Sequence, residues 1–201
     1  MRHLSVLTLI FLFCPLALFA QDNYLVDWDE VGEESINHLI KLVRINTSNP
    51  PGNETEVTHY LKNVLAAEGI PSNLYALDPD RANLVTRYKG NGSKRPILVM
   101  GHTDVVGVQA EKWLEEPFGG LRKDGWIYGR GSLDDKDNVT AGLMLMLLLN
   151  RYEVELDRDI IFLAEAGEEG TPEVGINYMI EHHWEKIDAE FCLAEGGGNI
   201  L

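Results

Sequence analysis

The sequence predicts an α/β fold, a three-layer sandwich in which a mostly parallel sheet is covered by helices on both faces. Two observations carry this expectation. Short apolar runs of strand length alternate along the chain with helix-length patterns. One helix-length segment, residues 140–149, is apolar on every side, which suits a helix packed between other layers. The 201-residue chain is 45% hydrophobic and 24% charged, enough for one ordinary core and unlike a disordered composition.

Residues 1–20 stand apart. Arg2 precedes an apolar run that starts at Leu7 and extends to Ala20, and no acid occurs before Asp22. This is the pattern of a secretory signal peptide cleaved after Ala20, with a secreted or periplasmic destination. As a membrane anchor the run is short against the about 20 residues a span needs. One folded domain is then expected over residues 21–201.

Within it, Ile36, Leu39, Ile40 and Val43 give residues 35–43 a helical apolar face. Residues 46–53 contain Pro50, Pro51 and Gly52 and read as a loop. Asn53 is placed to cap a second helix, with Glu56 completing a capping box and Val57, Tyr60, Leu61, Val64 and Leu65 forming its apolar face. Strands are predicted over residues 83–87 and 97–100, the latter bounded by Pro96 and Gly101, with a further short strand at 126–128. The buried helix 140–149 follows, then a strand at 159–164, a helix at 172–182 and a strand at 190–194.

The formal net charge is −15, and removing residues 1–20 takes away one Arg and no acid. Such a surface disfavours nucleic acid and anionic membranes as partners. Cys192 is the one cysteine outside the leader, so the mature chain has no pair for a disulfide. Its apolar neighbours Phe191, Leu193 and Ala194 predict a buried core thiol.

The informative polar residues cluster at strand ends. His102 and Asp104 follow the strand ending at Met100, Glu168 and Glu169 follow the one ending at Ala164, and Glu195 follows the one ending at Ala194. In open α/β sheets ligands bind outside the carboxyl ends of strands. Asp134 and Asp135 lie before the buried helix, after the glycine-rich Gly129-Arg130-Gly131. Taken singly, each group has an ordinary structural reading: a loop histidine, a solvated charge run at a helix start, a surface Glu pair. Taken together, carboxylates crowded in one crevice repel one another and call for a cation. A set of His and carboxylates without Cys suits zinc, with cobalt or manganese less common alternatives.

These residues carry a family resemblance. Met100-Gly101-His102-Thr103-Asp104-Val105-Val106 resembles the first metal motif of the M20 metallopeptidases, and Gly129-Arg130-Gly131-Ser132-Leu133-Asp134-Asp135-Lys136 their second. Ala166-Gly167-Glu168-Glu169-Gly170 and Ala194-Glu195-Gly196-Gly197 are similar to the third and fourth, and the loop Asn46-Thr47-Ser48-Asn49-Pro50-Pro51-Gly52 is in the family style. The resemblance implies a zinc-dependent exopeptidase-like fold and a two-zinc hydrolase of peptides or N-acyl amino acids. In it, His102 and Glu195 bind one zinc, Glu169 binds the second, and Asp134 bridges them. Asp104 orients His102, Glu168 is the general base, and the Asp134-Asp135 peptide is cis.

The family also carries a lid or dimerisation domain after the fourth motif and a late His that completes the second zinc site. The resemblance therefore implies that residues 21–201 are the N-terminal part of a catalytic domain, with a homodimer formed through the lid. It leaves open an exopeptidase, a deacylase, or an inactive metal-binding fragment.

Overall fold

The computed structural model describes residues 24–195. The expected signal peptide and the two glycines of the fourth motif lie outside the described residues. In chain order the elements are α1 (Trp28–Arg44), β1 (Ser48–Asn49), α2 (Glu54–Ala67), β2 (Ser72–Tyr75), β3 (Asn83–Tyr88), β4 (Ile97–His102), β5 (Val105–Val106), β6 (Leu121–Lys123), β7 (Trp126–Tyr128), α3 (Lys136–Arg151), β8 (Ile160–Glu165), α4 (Ile176–Ile187) and β9 (Phe191–Leu193). Among the described residues no helix is long and apolar enough to cross a membrane.

Helix α1 begins earlier than its apolar face suggests, because Asp27 caps it. The Asp27 Oδ1 accepts from the backbone N–H groups of Asp29 and Glu30, both at 3.1 Å. Asp29 and Glu30 in the first turn, and Lys41 and Arg44 in the last, complement the helix dipole. Helix α2 does start after Asn53, but the capping box does not form. Asn53 has φ −165° and ψ 39°, and its Nδ2 donates to Glu56 Oε2 at 2.8 Å rather than its oxygen accepting from the backbone. The charge-assisted contact wins over the cap.

Among the described residues the main sheet has five strands in the order β2-β3-β8-β4-β9. β4 pairs in parallel with both β8 and β9. β3 is antiparallel to β2 and to β8, so it alone of the five runs against the rest. The expected strand at 126–128 forms, but in a separate hairpin with β6.

Helices cover both faces, as expected. The two-residue period of β8 turns Phe162 and Ala164 toward α1, α2 and α3, where Leu42, Leu61, Leu65, Leu143 and Leu147 are fully buried. Ile161 and Leu163 face the opposite way, toward Met179 and Ile187 of α4. Burying each such side chain stabilises the fold by about 1.5–3 kcal/mol. Within α3, Gly142 allows close approach, since a Cβ there would lie 2.2 Å from the Phe162 ring.

The chain passes over one face through α3 between β4 and β8, and over the other through α4 between β8 and β9. Its direction therefore reverses about β4, which opens a crevice at the carboxyl end of that strand. One expectation fails here: Cys192 is exposed. Among the described residues β9 is an edge strand hydrogen-bonded on one side to β4, and its neighbours Phe191 and Leu193 are exposed with it. An apolar run records strand character, not the position of the strand in the sheet.

Asp159, just before β8, anchors the amino end of the sheet. Its carboxylate accepts from Arg87 Nη1 at 3.0 Å, Lys89 Nζ at 2.8 Å and the Gly90 N–H at 3.0 Å. Burial opposes its ionisation, but these donors outweigh burial and hold the carboxyl below its usual range. A carboxylate with a depressed pKa stabilises the fold above its ordinary pKa of about 3.9, and that contribution is lost as pH falls through the folded value. Asp159→Asn should therefore be less stable than wild type by about 1–2 kcal/mol near neutral pH. Urea melts across acid pH should show the gap closing; a gap that persists in acid would mean the charge is not the cause.

Candidate metal centre

β4 delivers His102 into the crevice as its last residue. Gly101 before it is required by the packing: a Cβ there would come within 2.8 Å of Asp135 Oδ2 and 3.1 Å of the Val139 backbone N. The glycine lets the start of α3 lie against the strand end.

The two ring nitrogens of His102 face different partners. Nδ1 lies 3.0 Å from the Asp104 carbonyl and 3.4 Å from Asp104 Oδ1. Both oxygens can only accept, so Nδ1 carries a proton. Nε2 points the other way, 3.1 Å from Asp134 Oδ1, 3.8 Å from Glu195 Oε2 and 3.9 Å from Glu168 Oε2. β4, β8, β9 and the loop before α3 thus bring the predicted residues to one point. They fall into two overlapping groups, His102 with Asp134 and Glu195, and His102 with Glu168 and Glu169, whose ligand atoms lie within 4.8 Å of one another. The Asp134-Asp135 peptide is cis, as the resemblance implies.

Asp104 is fully buried. Burial would raise its pKa, but hydrogen bonds from His102 and Asn49, with the Glu169 N–H, hold it below its usual range. Its Oδ1 accepts from the Glu168 N–H at 3.1 Å and its Oδ2 from the Glu169 N–H at 3.0 Å. The same carboxylate therefore stands behind the His and shapes the turn that carries both glutamates. Gly167 enters that turn at φ +74°, where a Cβ would lie 2.4 Å from the Thr171 carbonyl.

The sequence placed Asp135 beside Asp134 but gave no role to it, to Lys136 or to Glu165. Asp135 is fully buried, and its Oδ2 accepts from the His102 backbone N–H at 3.0 Å. Lys136 is also fully buried, donating to the carbonyls of Leu42 at 3.0 Å and Ile45 at 2.7 Å at the end of α1. Burial pushes its ammonium down to about 7. Asp135 and Lys136 are thus not part of a solvated charge run, and Lys136 pins the Asp134 loop to α1. Glu165, paired in register with His102, is buried with Oε2 lacking a partner. Burial, reinforced by neighbouring carboxylates and opposed by His102, raises it to about 7. The strand period already placed it on the inward face with Ile161 and Leu163, a signal lost by ending the strand at Ala164.

The charges around His102 are those a cation would offset. Burial raises the pKa of Asp135, Glu169 and Glu195, and neighbouring acids add to it. For His102, burial acts downward, but the Asp104 hydrogen bond and the charges of Asp104, Asp135 and Glu195 prevail and raise it to about 10. The metal-free cluster therefore holds a proton on the ring that a divalent ion would replace, and a neutral imidazole with carboxylates is a donor set such an ion accepts. The adjoining cavity, about 200 Å³, is lined by His102, Asp135, Glu165, Glu168 and Glu195 among others. A larger groove between α1 and the end of α3 is lined by Glu34 and Arg151, which pair with each other, among other residues.

Comparison with known proteins gives the family and the fold. The sequence profile of Peptidase family M20/M25/M40 matches residues 98–200. A probable succinyl-diaminopimelate desuccinylase of Staphylococcus epidermidis is 32% identical over 170 residues, covering 84% of this chain and 40% of that protein. The chain thus spans about two fifths of the length of this curated relative. A M20 family metallo-carboxypeptidase from Sulfolobus solfataricus superposes with a TM-score of 0.70 at 26% identity, over 82% of this chain and 38% of that one. Human carnosine dipeptidase 1 shares the fold, with a TM-score of 0.69 at 19% identity over 84% of this chain and 39% of that one.

Zinc added to the metal-free protein near neutral pH should release about one proton from His102. A pH indicator in weak buffer reads this directly, and the release should shrink in His102→Gln. Zinc uptake without proton release would put the metal somewhere other than His102 Nε2.

Proposed function

The chain belongs to Peptidase family M20/M25/M40, and from that premise we propose that it is part of a two-zinc amide hydrolase acting on peptides as an exopeptidase, either a carboxypeptidase or a dipeptidase. The observation that carries this reading is the convergence of Asp134, Glu168 and Glu195 on His102 Nε2, with Nδ1 held from behind by Asp104. His102 and Glu195 would hold one ion and Glu169 the other, with Asp134 between them. Zinc is the favoured ion, and cobalt or manganese fit the same donors.

When bound, the ions supply Lewis acidity, lowering the pKa of a water and polarising the scissile carbonyl. Glu168 takes a proton from the attacking water as its oxygen adds to the carbonyl carbon. As the C–N bond breaks, Glu168 returns that proton to the leaving amine. Asp104 keeps the His102 ring in the tautomer and orientation this requires. Asp135 fixes the backbone of His102, and Lys136 fixes the loop that carries Asp134.

A second reading is N-acyl amino acid deacylation, the same bond chemistry on a different acyl group. It is favoured by the 32% identity to the probable desuccinylase. The leader-like segment 1–20 supports export to a secreted or periplasmic site of action. A homodimer formed through a lid domain belongs to the same proposal.

In the intact gene product, a chelator should abolish hydrolysis of dipeptides or N-acyl amino acids and zinc should restore it. Glu168→Ala should keep its metal content while kcat falls by about 10²–10⁴-fold. Hydrolysis surviving in that variant with metal still bound would remove Glu168 from the role of base.

A further inference from the structure

The loop between α1 and α2 has no part in the chemistry above, yet one of its side chains enters the centre. Asn49 is buried, with 6% of its surface exposed. Its Nδ2 lies 2.8 Å from Asp104 Oδ2, 2.8 Å from Thr171 Oγ1 and 3.4 Å from the Glu169 carbonyl. One amide group thus touches both the carboxylate behind His102 and the turn that carries Glu168 and Glu169.

The backbone around Asn49 is braced to bring this about. Ser48 and Asn49 form β1, which pairs in parallel with Val105 and Val106 of β5, just beyond Asp104. Thr47 Oγ1 donates to the Thr103 carbonyl at 2.6 Å, and the Val105 N–H donates to the Thr47 carbonyl at 3.2 Å. Asn46 Oδ1 accepts from the Ser48 N–H at 3.0 Å and from its hydroxyl at 2.8 Å, closing the turn before β1. The amide is therefore presented from a rigid ladder.

The chemistry of the side chain matters. Asp104 is a buried anion whose acceptor sites need donors, and an amide supplies them without adding charge. An Asp at position 49 would set a second carboxylate against the first, and an Ala would take one of its two donors from Asp104 Oδ2 and break the link to the turn.

We infer that Asn49 is a positioning residue for the metal centre, locking Asp104 and the Glu168-Glu169 turn into one unit so that His102 and Glu169 keep their places as ligands. The inference rests on the metal-centre reading above. Partners of this kind, behind the ligands, are worth 10–100-fold in metal affinity.

The test is zinc affinity, by competition with a chromogenic chelator, in the intact gene product and three variants, with thermal unfolding measured alongside. Asn49→Ala should lose about 10–100-fold in affinity, and Asn49→Ser, which keeps one donor on a shorter arm, should fall between it and wild type. Thr86→Ala removes a buried hydrogen bond, from its hydroxyl to the Pro71 carbonyl, that is part of neither the Asn49 ladder nor the turn; it should lose comparable stability and keep wild-type affinity. Wild-type zinc affinity in Asn49→Ala, or affinity falling in step with melting temperature across all three variants, would reduce Asn49 to a structural role. If Asn49→Ala fails to fold, the comparison of Asn49→Ser with Thr86→Ala decides the matter. A wild-type protein that takes up no zinc would overturn the metal-centre reading itself, and this inference with it.

Discussion

The satisfaction of one buried anion organises this molecule. The Asp104 carboxylate sits in the interior, where an unpaired charge would cost several kcal/mol. Its donors come from three distant stretches of chain: the amide of Asn49, the ring of His102, and the backbone N–H groups of Glu168 and Glu169. Each donor can reach it only if β1, β4 and the turn after β8 meet at one edge of the sheet. The fold and the candidate centre are thus held by the same contacts, and a perturbation of one is felt in the other.

Around that anion the structure gathers further acid, and this shapes its electrostatics. Asp134, Asp135, Glu165, Glu168, Glu169 and Glu195 surround a single imidazole, and the acids with shifted pKa values here, Asp104 apart, are shifted upward. Without a cation, the cluster draws a proton onto His102. With one, the same negative charge becomes affinity. Lys136 is too committed to the carbonyls of α1 to serve as the neutralising charge, and burial drives it toward the neutral form.

Much of the architecture was legible because local patterns report it. The period of β8, the all-round apolar surface of α3 and the face of α2 each record burial directly in residue order. The polar residues at the ends of β4, β8 and β9 pointed to the crevice because strand ends in parallel arrangements share an edge. Less legible were features set by partners far along the chain. The reversed direction of β3 follows from its hairpin with β2, and Ser72–Tyr75 carries too weak an apolar signal to announce that strand. Cys192 lies in an apolar run that reads as core, and its exposure depends on the strand being at an edge.

By itself, then, the sequence determined the α/β class, the order of the main helices and central strands, and the identity of the side chains gathered at the sheet edge. These are written in periodicity and in motifs, which are properties of neighbours in the chain. Only the tertiary structure decided which nitrogen of His102 faces the carboxylates, that Asp135 and Lys136 are buried rather than solvated, and that Asn49 reaches across the chain to Asp104. The physical reason is that a buried polar group is defined by the donors and acceptors around it in space, and no local spacing records where those come from.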